Sequence, residues 1–176
     1  MEQLYSNTAD WPLKFEPTSI EMLFIVDSNK KQVVKALVRL NKEIEKRAYY
    51  IVKDGNDYKI DWEPSVGANE PSLKAFQVER KRLNRTFRLI GELSDYYNFD
   101  FSDRKESMYS IDLIETGTGN RIHGYVLKNT DAGKDLFKLL KDGGKVKVLV
   151  ELACPSRFQD SSVTEIVQFL SSEWLY

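Results

Sequence analysis

The chain has 176 residues, 41% of them hydrophobic and 30% charged, with 26 Lys and Arg against 27 Asp and Glu. This is the composition of a globular protein with apolar side chains enough for a core, and it excludes collagen-like, disulfide-framework and wholly disordered classes. A net charge of −1, one histidine and one cysteine further argue against wholesale binding to nucleic acid or anionic membrane, an internal disulfide and a zinc site.

The charge is unevenly spread. Residues 1–70 are net −2 and residues 86–176 net −3, whereas residues 71–85 carry Lys74, Arg80, Lys81, Arg82 and Arg85 against Glu79 alone. Two acidic blocks around a basic joint predict two domains, 1–70 and 86–176, linked by a helix within 71–85. No apolar run approaches the roughly 20 residues of a membrane span. The first residues lack the basic-then-apolar layout of a signal peptide. Only 19 residues, broken by Pro12 and Pro17, precede the first strand. The expectation is a soluble chain that is one portion of a longer, N-terminally extended or membrane-anchored protein, in a compartment the residues do not identify.

In chain order, residues 20–26 read as a strand closed by the turn cluster Asp27-Ser28-Asn29-Lys30. Residues 32–40 fit a strand (Val34, Ala36, Val38 on one face) or a helix (Val33, Leu37, Leu40), and the β-branched residues favour the strand. Residues 48–53 and 58–62 flank Asp54-Gly55, a hairpin signal. Alternation of Tyr58, Ile60 and Trp62 with Lys59 and Asp61 predicts one buried and one wet face. Ser72 is a candidate N-cap for a helix over 72–83 with Leu73, Phe76, Arg80 and Leu83 on one stripe. From Thr86 the predicted order is strand (87–93, running on through 96–101), strand (108–114), strand (121–127), helix (near 131–142, capped by Thr130 or Asp131 and ended by Gly143-Gly144), strand (145–152) and strand (163–170). Gly91 suggests a bulge or bend in the first of these strands.

The fold class that follows is α+β and β-rich: an antiparallel sheet domain, a connecting helix and a five-stranded barrel. The order β-β-β-α-β-β resembles the OB-fold, with an SH3-like or other small barrel as the alternative. More widely, Asp61-Trp-Glu-Pro-Ser-Val-Gly67, Tyr96-Tyr-Asn-Phe-Asp-Phe-Ser-Asp103, His123-Gly-Tyr-Val126 and Glu173-Trp174 are similar to recurring blocks of an uncharacterised bacterial family. There a nuclear-transport-factor-like or cystatin-like sheet precedes a small barrel. The resemblance implies architecture only and brings no activity or catalytic residue with it.

Candidate chemistry is sparse. A Ser-His-Asp or Cys-His arrangement could be built only around His123, which reads as a half-exposed strand residue on the face opposite Ile122. Asp95, Asp100, Asp103 and Glu106 match no calcium loop and read as a solvated acidic turn. Gly117-Thr-Gly119 links two strands and reads as a hairpin, since phosphate cradles need a strand-to-helix turn. Aromatic platforms are the more promising set: Tyr97 and Phe99, with Tyr109 and Tyr125 on the next two strands, form a candidate binding surface, joined by Arg80, Arg82 and Arg85 of the basic joint. The acidic barrel weighs against a phosphate backbone beside those rings. The expected function is non-catalytic binding of a protein or peptide, with no cofactor and no metal. A small molecule held by the sheet domain is the alternative, and single-stranded nucleic acid on the joint and barrel is the third.

Overall fold

A computed structural model describes residues 20–28, 31–38, 47–79, 83–154 and 160–175. The chain divides into two compact units, Met1–Asp61 and Trp62–Tyr176. Among the described residues no helix is long and apolar enough to cross a membrane.

The first unit is a four-stranded antiparallel meander in the order β1-β2-β3-β4. Its strands are β1 (Ile20–Ser28), β2 (Lys31–Val38), β3 (Arg47–Asp54) and β4 (Asp57–Asp61). Residues 31–38, ambiguous in periodicity, are a strand. The hairpin between β3 and β4 closes on the pair Asp54–Asp57, with Gly55 at φ +62°, a backbone setting that glycine adopts freely. The expected pattern of one buried and one wet face is not what β4 shows: Tyr58 is 67% and Ile60 40% exposed, and Trp62 opens a helix. Alternation assigns residues to faces but does not say which face is covered, and β4 is the edge of the sheet. In the centre each face holds a few buried side chains. Val33 and Tyr50 are buried on one side, and Ala36, packed with Tyr49 and Ile51, is buried on the other.

The second unit starts at Trp62 and takes in α1 (Trp62–Val66) and α2 (Leu73–Glu79). Ser72 Oγ accepts the Ala75 N–H at 3.2 Å, so this serine caps α2 as its sequence position suggests. The helix is described as far as Glu79, and residues 80–82 lie outside the described residues. Leu73 and Phe76 are buried in the barrel core, with the Phe76 ring 5.0 Å from that of Phe87. The helix expected as a connector thus belongs to the barrel unit.

Buried Glu115 ties α2 to the barrel. Its carboxylate accepts from the Leu73 N–H (2.9 Å), Asn69 Nδ2 (3.3 Å), Thr118 Oγ1 (2.7 Å) and Asn120 Nδ2 (3.3 Å). A buried charge needs such a set of donors to offset its desolvation. Arg88 donates to Ala68 O and Trp174 O, and Trp174 Nε1 donates to Leu89 O, all at 3.1 Å. Gly67 lies so close to the Trp174 ring that a Cβ there would come within 2.6 Å of it, at a φ of +68°. Gly67, Ala68 and Trp174, far apart in sequence, are therefore held together within the second unit.

The barrel strands are β5 (Arg85–Ser94), β6 (Met108–Ile114), β7 (Arg121–Leu127), β8 (Val146–Ala153) and β9 (Val163–Ser171). They close in the order β5-β6-β7-β9-β8, with β7 and β9 parallel and every other pair antiparallel. Helix α3 (Asp131–Leu140) stands between β7 and β8, capped by Thr130 Oγ1 accepting the Gly133 N–H at 3.1 Å. Its Leu136 and Leu140 join Leu89, Ile111, Leu113, Ile122, Val126 and Val148 in the core. At Gly91, β5 passes from β8 to β6 with both registers unbroken, so this glycine marks an exchange of partners and no bulge. The Val148 methyls, 3.3 Å from where a Cβ would stand, show why the site is kept small. The expected continuation of this strand through 96–101 does not form. β5 ends at Ser94, and Phe99–Phe101 is a 3₁₀ turn in which Phe101 N–H bonds Asn98 O.

Candidate functional site

Residues 95–107, between β5 and β6, cross the outer face of the barrel as a strap. On β6 and β7 the inward residues (Ile111, Leu113, Ile122, Val126) build the core, and the alternate residues face out. Outward Met108 and Tyr125, with Val163 of β9, meet Phe101 of the strap in a second, separate apolar cluster, flanked by Tyr97. Phe101 stacks on Tyr125 with ring centroids 3.8 Å apart and planes 14° apart. Tyr97 Oη donates to Met108 O at 2.9 Å. Tyr125 Oη accepts the Asn98 N–H and donates to Tyr96 O, both at 3.2 Å. Burial pushes both phenols above their ordinary range, opposed by the Ser110 backbone at Tyr97 and by the Asn98 backbone at Tyr125.

To one side of the strap lies a polar cluster. His123 Nδ1 is 2.7 Å from Asp112 Oδ1, and Arg121 reaches Asp112 Oδ2 at 3.2 Å. The Tyr96 ring covers the imidazole at 4.3 Å. Asp160 sits beside the same histidine. Hydrogen bonds from Ser162, side chain first and then the N–H at 2.8 Å, hold its carboxyl below the usual carboxylate range. Among the described residues no group of three or more His, Cys, Asp or Glu could hold a metal ion.

On the other side is a groove of about 360 Å³ with a mixed polar and apolar lining of Arg104, Met108, Tyr125, Leu127, Thr130, Glu165, Ile166 and Val167. Its origin is local. The parallel ladder joins only His123–Tyr125 to Val163–Glu165. The β8–β9 ladder pairs Leu152 with Ile166 and Glu151 with Gln168, which leaves Val167 outside both ladders as a bulge. A bulge bends its strand and ends pairing, and such features concentrate at barrel rims and functional sites. Leu127 and Val167 are left 45% and 47% exposed.

The residues expected from sequence to form one surface are therefore divided. Tyr97 and Tyr125 come together, 5.9 Å between rings, but Tyr125 is fully buried and Tyr97 holds the strap. Phe99, on the strap, is 94% exposed. Tyr109 lies on the other face of β6, stacked at 4.7 Å on Phe137 of α3. Arg85 is exposed at the start of β5, opposite Leu152, and Arg80 and Arg82 lie outside the described residues. Sequence reasoning missed Arg104, Leu127 and Val167, and it did not join His123 to Asp112. Counting back from the Thr116–Asn120 turn would have paired those two, because Ile114 faces Arg121 and Asp112 faces His123. Compared with protein-family models, curated proteins and solved structures, the chain matches none.

Proposed function

We propose that the barrel is an OB-like fold and that the chain is a non-catalytic binding protein, its partner an extended peptide segment seated in the groove between β7 and β9. The closed order β5-β6-β7-β9-β8, with a helix between the third and fourth barrel strands, supports the first part. The observation that carries the second is the Val167 bulge, next to the point where the β7–β9 ladder ends at Glu165, beside a groove lined by exposed Leu127 and Val167. A peptide suits this place better than other ligands. The apolar part of the lining takes a side chain, the main chain at Val167 is free of both ladders, and charged Arg104 and Glu165 line the same groove. A nucleic acid would set its phosphates against a block of net charge −3. The polar contacts of His123, to Asp112 and from its N–H to Ser162 O (2.8 Å), support a structural role for that residue.

The test is selection of binders from a displayed random 12-residue peptide library on the full chain, with affinities then measured by fluorescence anisotropy. Selected peptides are expected to lose at least about tenfold in affinity, roughly 1.4 kcal/mol, on Leu127→Asp or Val167→Asp. Peptides that bind both variants as tightly as the native chain would overturn the proposal.

A further inference from the structure

Helix α3 divides its exposed charges by side. Residues 128–147 carry six lysines against three aspartates, net +3, inside a block whose total is −3. Leu136 and Leu140 are buried in the core, which fixes the inward side of the helix. At about 100° per residue, the exposed side then runs through Phe137, Lys141, Lys134 and Lys138 on one flank, and on to Asp131 and Asp135 on the other. The helix dipole accounts for a cation in the last turn, as at Lys138, but not for Lys134 near the start.

The lysine flank borders a pair of rings. Phe137 lies parallel to Tyr109 of β6, with 4.7 Å between centroids and 6° between planes. Lys128, just past the end of β7, holds its Nζ over the Tyr109 ring at 5.1 Å and adds a fourth cation beside the pair. Phe137 is 38% exposed, so the row of lysines has an apolar border. Lys134 reaches Asp131 at 3.9 Å, but both side chains stand largely in water, where such a contact is weak and readily exchanged. Among the described residues no ion pair holds Lys138 or Lys141.

We infer that this flank of α3 docks an acidic peptide segment, with carboxylates on Lys134, Lys138 and Lys141 and an apolar side chain against Phe137. The surface shares no residue with the groove lining, so it goes beyond the reading above and does not depend on it. Lys134 and Lys138 are about 6 Å apart along the helix axis. Alternate residues of an extended chain are about 6.6 Å apart, so two acidic side chains on one side of the segment meet both lysines. Other anionic partners fit less well. Single-stranded nucleic acid stacks its bases on open rings, whereas Tyr109 is covered by Phe137 and Lys128. An anionic membrane takes up the apolar face of a helix, and that face of α3 is occupied by the barrel core.

The probe is a fluorescein-labelled peptide, Glu-Phe-Glu-Glu-Phe-Glu, titrated with the full chain and followed by fluorescence anisotropy. Saturable binding is expected at about 20 mM salt, weakening at least about fivefold at about 200 mM. Lys138→Glu together with Lys141→Glu should weaken it at least about tenfold. Lys53→Glu together with Lys74→Glu makes the same change in net charge elsewhere and should weaken it less than about threefold. All four of these lysines are exposed, so the variants report binding and not folding. Phe137→Ala should lower the affinity about threefold. An equal loss for the two charge-reversed pairs would overturn the inference, as would no binding at low salt. Tighter binding of a twelve-nucleotide oligothymidylate, or of phosphatidylserine vesicles, to the same flank would overturn it in favour of those partners.

Discussion

The two faces of the β6–β7 hairpin are built on different terms. On the inner face Ile111, Leu113, Ile122 and Val126 belong to one continuous core that also takes in side chains of α2, α3, β5 and β8. The outer face is closed by the strap and β9 through a smaller cluster of Phe101, Met108, Tyr125 and Val163. The inner face is secured by many elements and the outer by the strap together with β9.

Substitutions that separate the faces should differ in size. Leu113→Ala, in the inner core, is expected to cost about 2–5 kcal/mol in urea unfolding, because a leucine-sized cavity there cannot collapse from any side. Glu115→Ala should follow at about 2–3 kcal/mol, since it leaves the buried Leu73 N–H and the Asn69, Thr118 and Asn120 donors without their acceptor. Tyr97→Phe removes only the bond to Met108 O and is expected to cost about 1 kcal/mol. In that variant trypsin should cut sooner at Arg104 and Lys105 of the strap, while amide exchange in β6 and β8 stays slow. Equal loosening of both would erase the distinction between the faces.

Alkaline pH tests the outer face alone. Tyr97 and Tyr125 are held protonated by burial above their ordinary value of 10.0. In the unfolded chain they ionise at that value while the folded chain still keeps the proton. Their contribution is therefore complete below it and lost as pH rises towards the folded values. Urea unfolding followed above pH 10.0 should show a decline that is smaller in Tyr97→Phe. Phe99→Ser is the smallest expected effect, within about 0.5 kcal/mol, because that ring is 94% exposed.

Much of the barrel was legible in the residues. Turn clusters and apolar runs placed β6, β7, α3, β8 and β9, and Thr130 and Ser72 marked two helix starts. The segment 96–101 was not legible, because alternating aromatics fit a strand and a strap that lays alternate rings on a sheet equally well. Only the neighbouring strands decide between them, through Tyr125 beneath Phe101 and Met108 O beneath Tyr97. Helix α2 shows the same limit. Its stripe was visible, but its assignment to the barrel depends on Glu115, 42 residues away in sequence from Leu73. The groove was out of reach for a different reason. It arises from one unpaired residue, Val167, in a β-branched stretch that reads as ordinary strand. Tyr109 and Tyr125 appeared equivalent as aromatic strand residues, yet register puts them on opposite faces, one towards α3 and one under the strap.

The most direct measurement is amide chemical-shift mapping of the ¹⁵N-labelled full chain with a peptide from the displayed library. Binding in the groove predicts the largest shifts at Leu127, Thr130 and Val167. Shifts confined to the β5–β8 side of the barrel or to the four-stranded sheet, with Leu127 and Val167 unmoved, would contradict it.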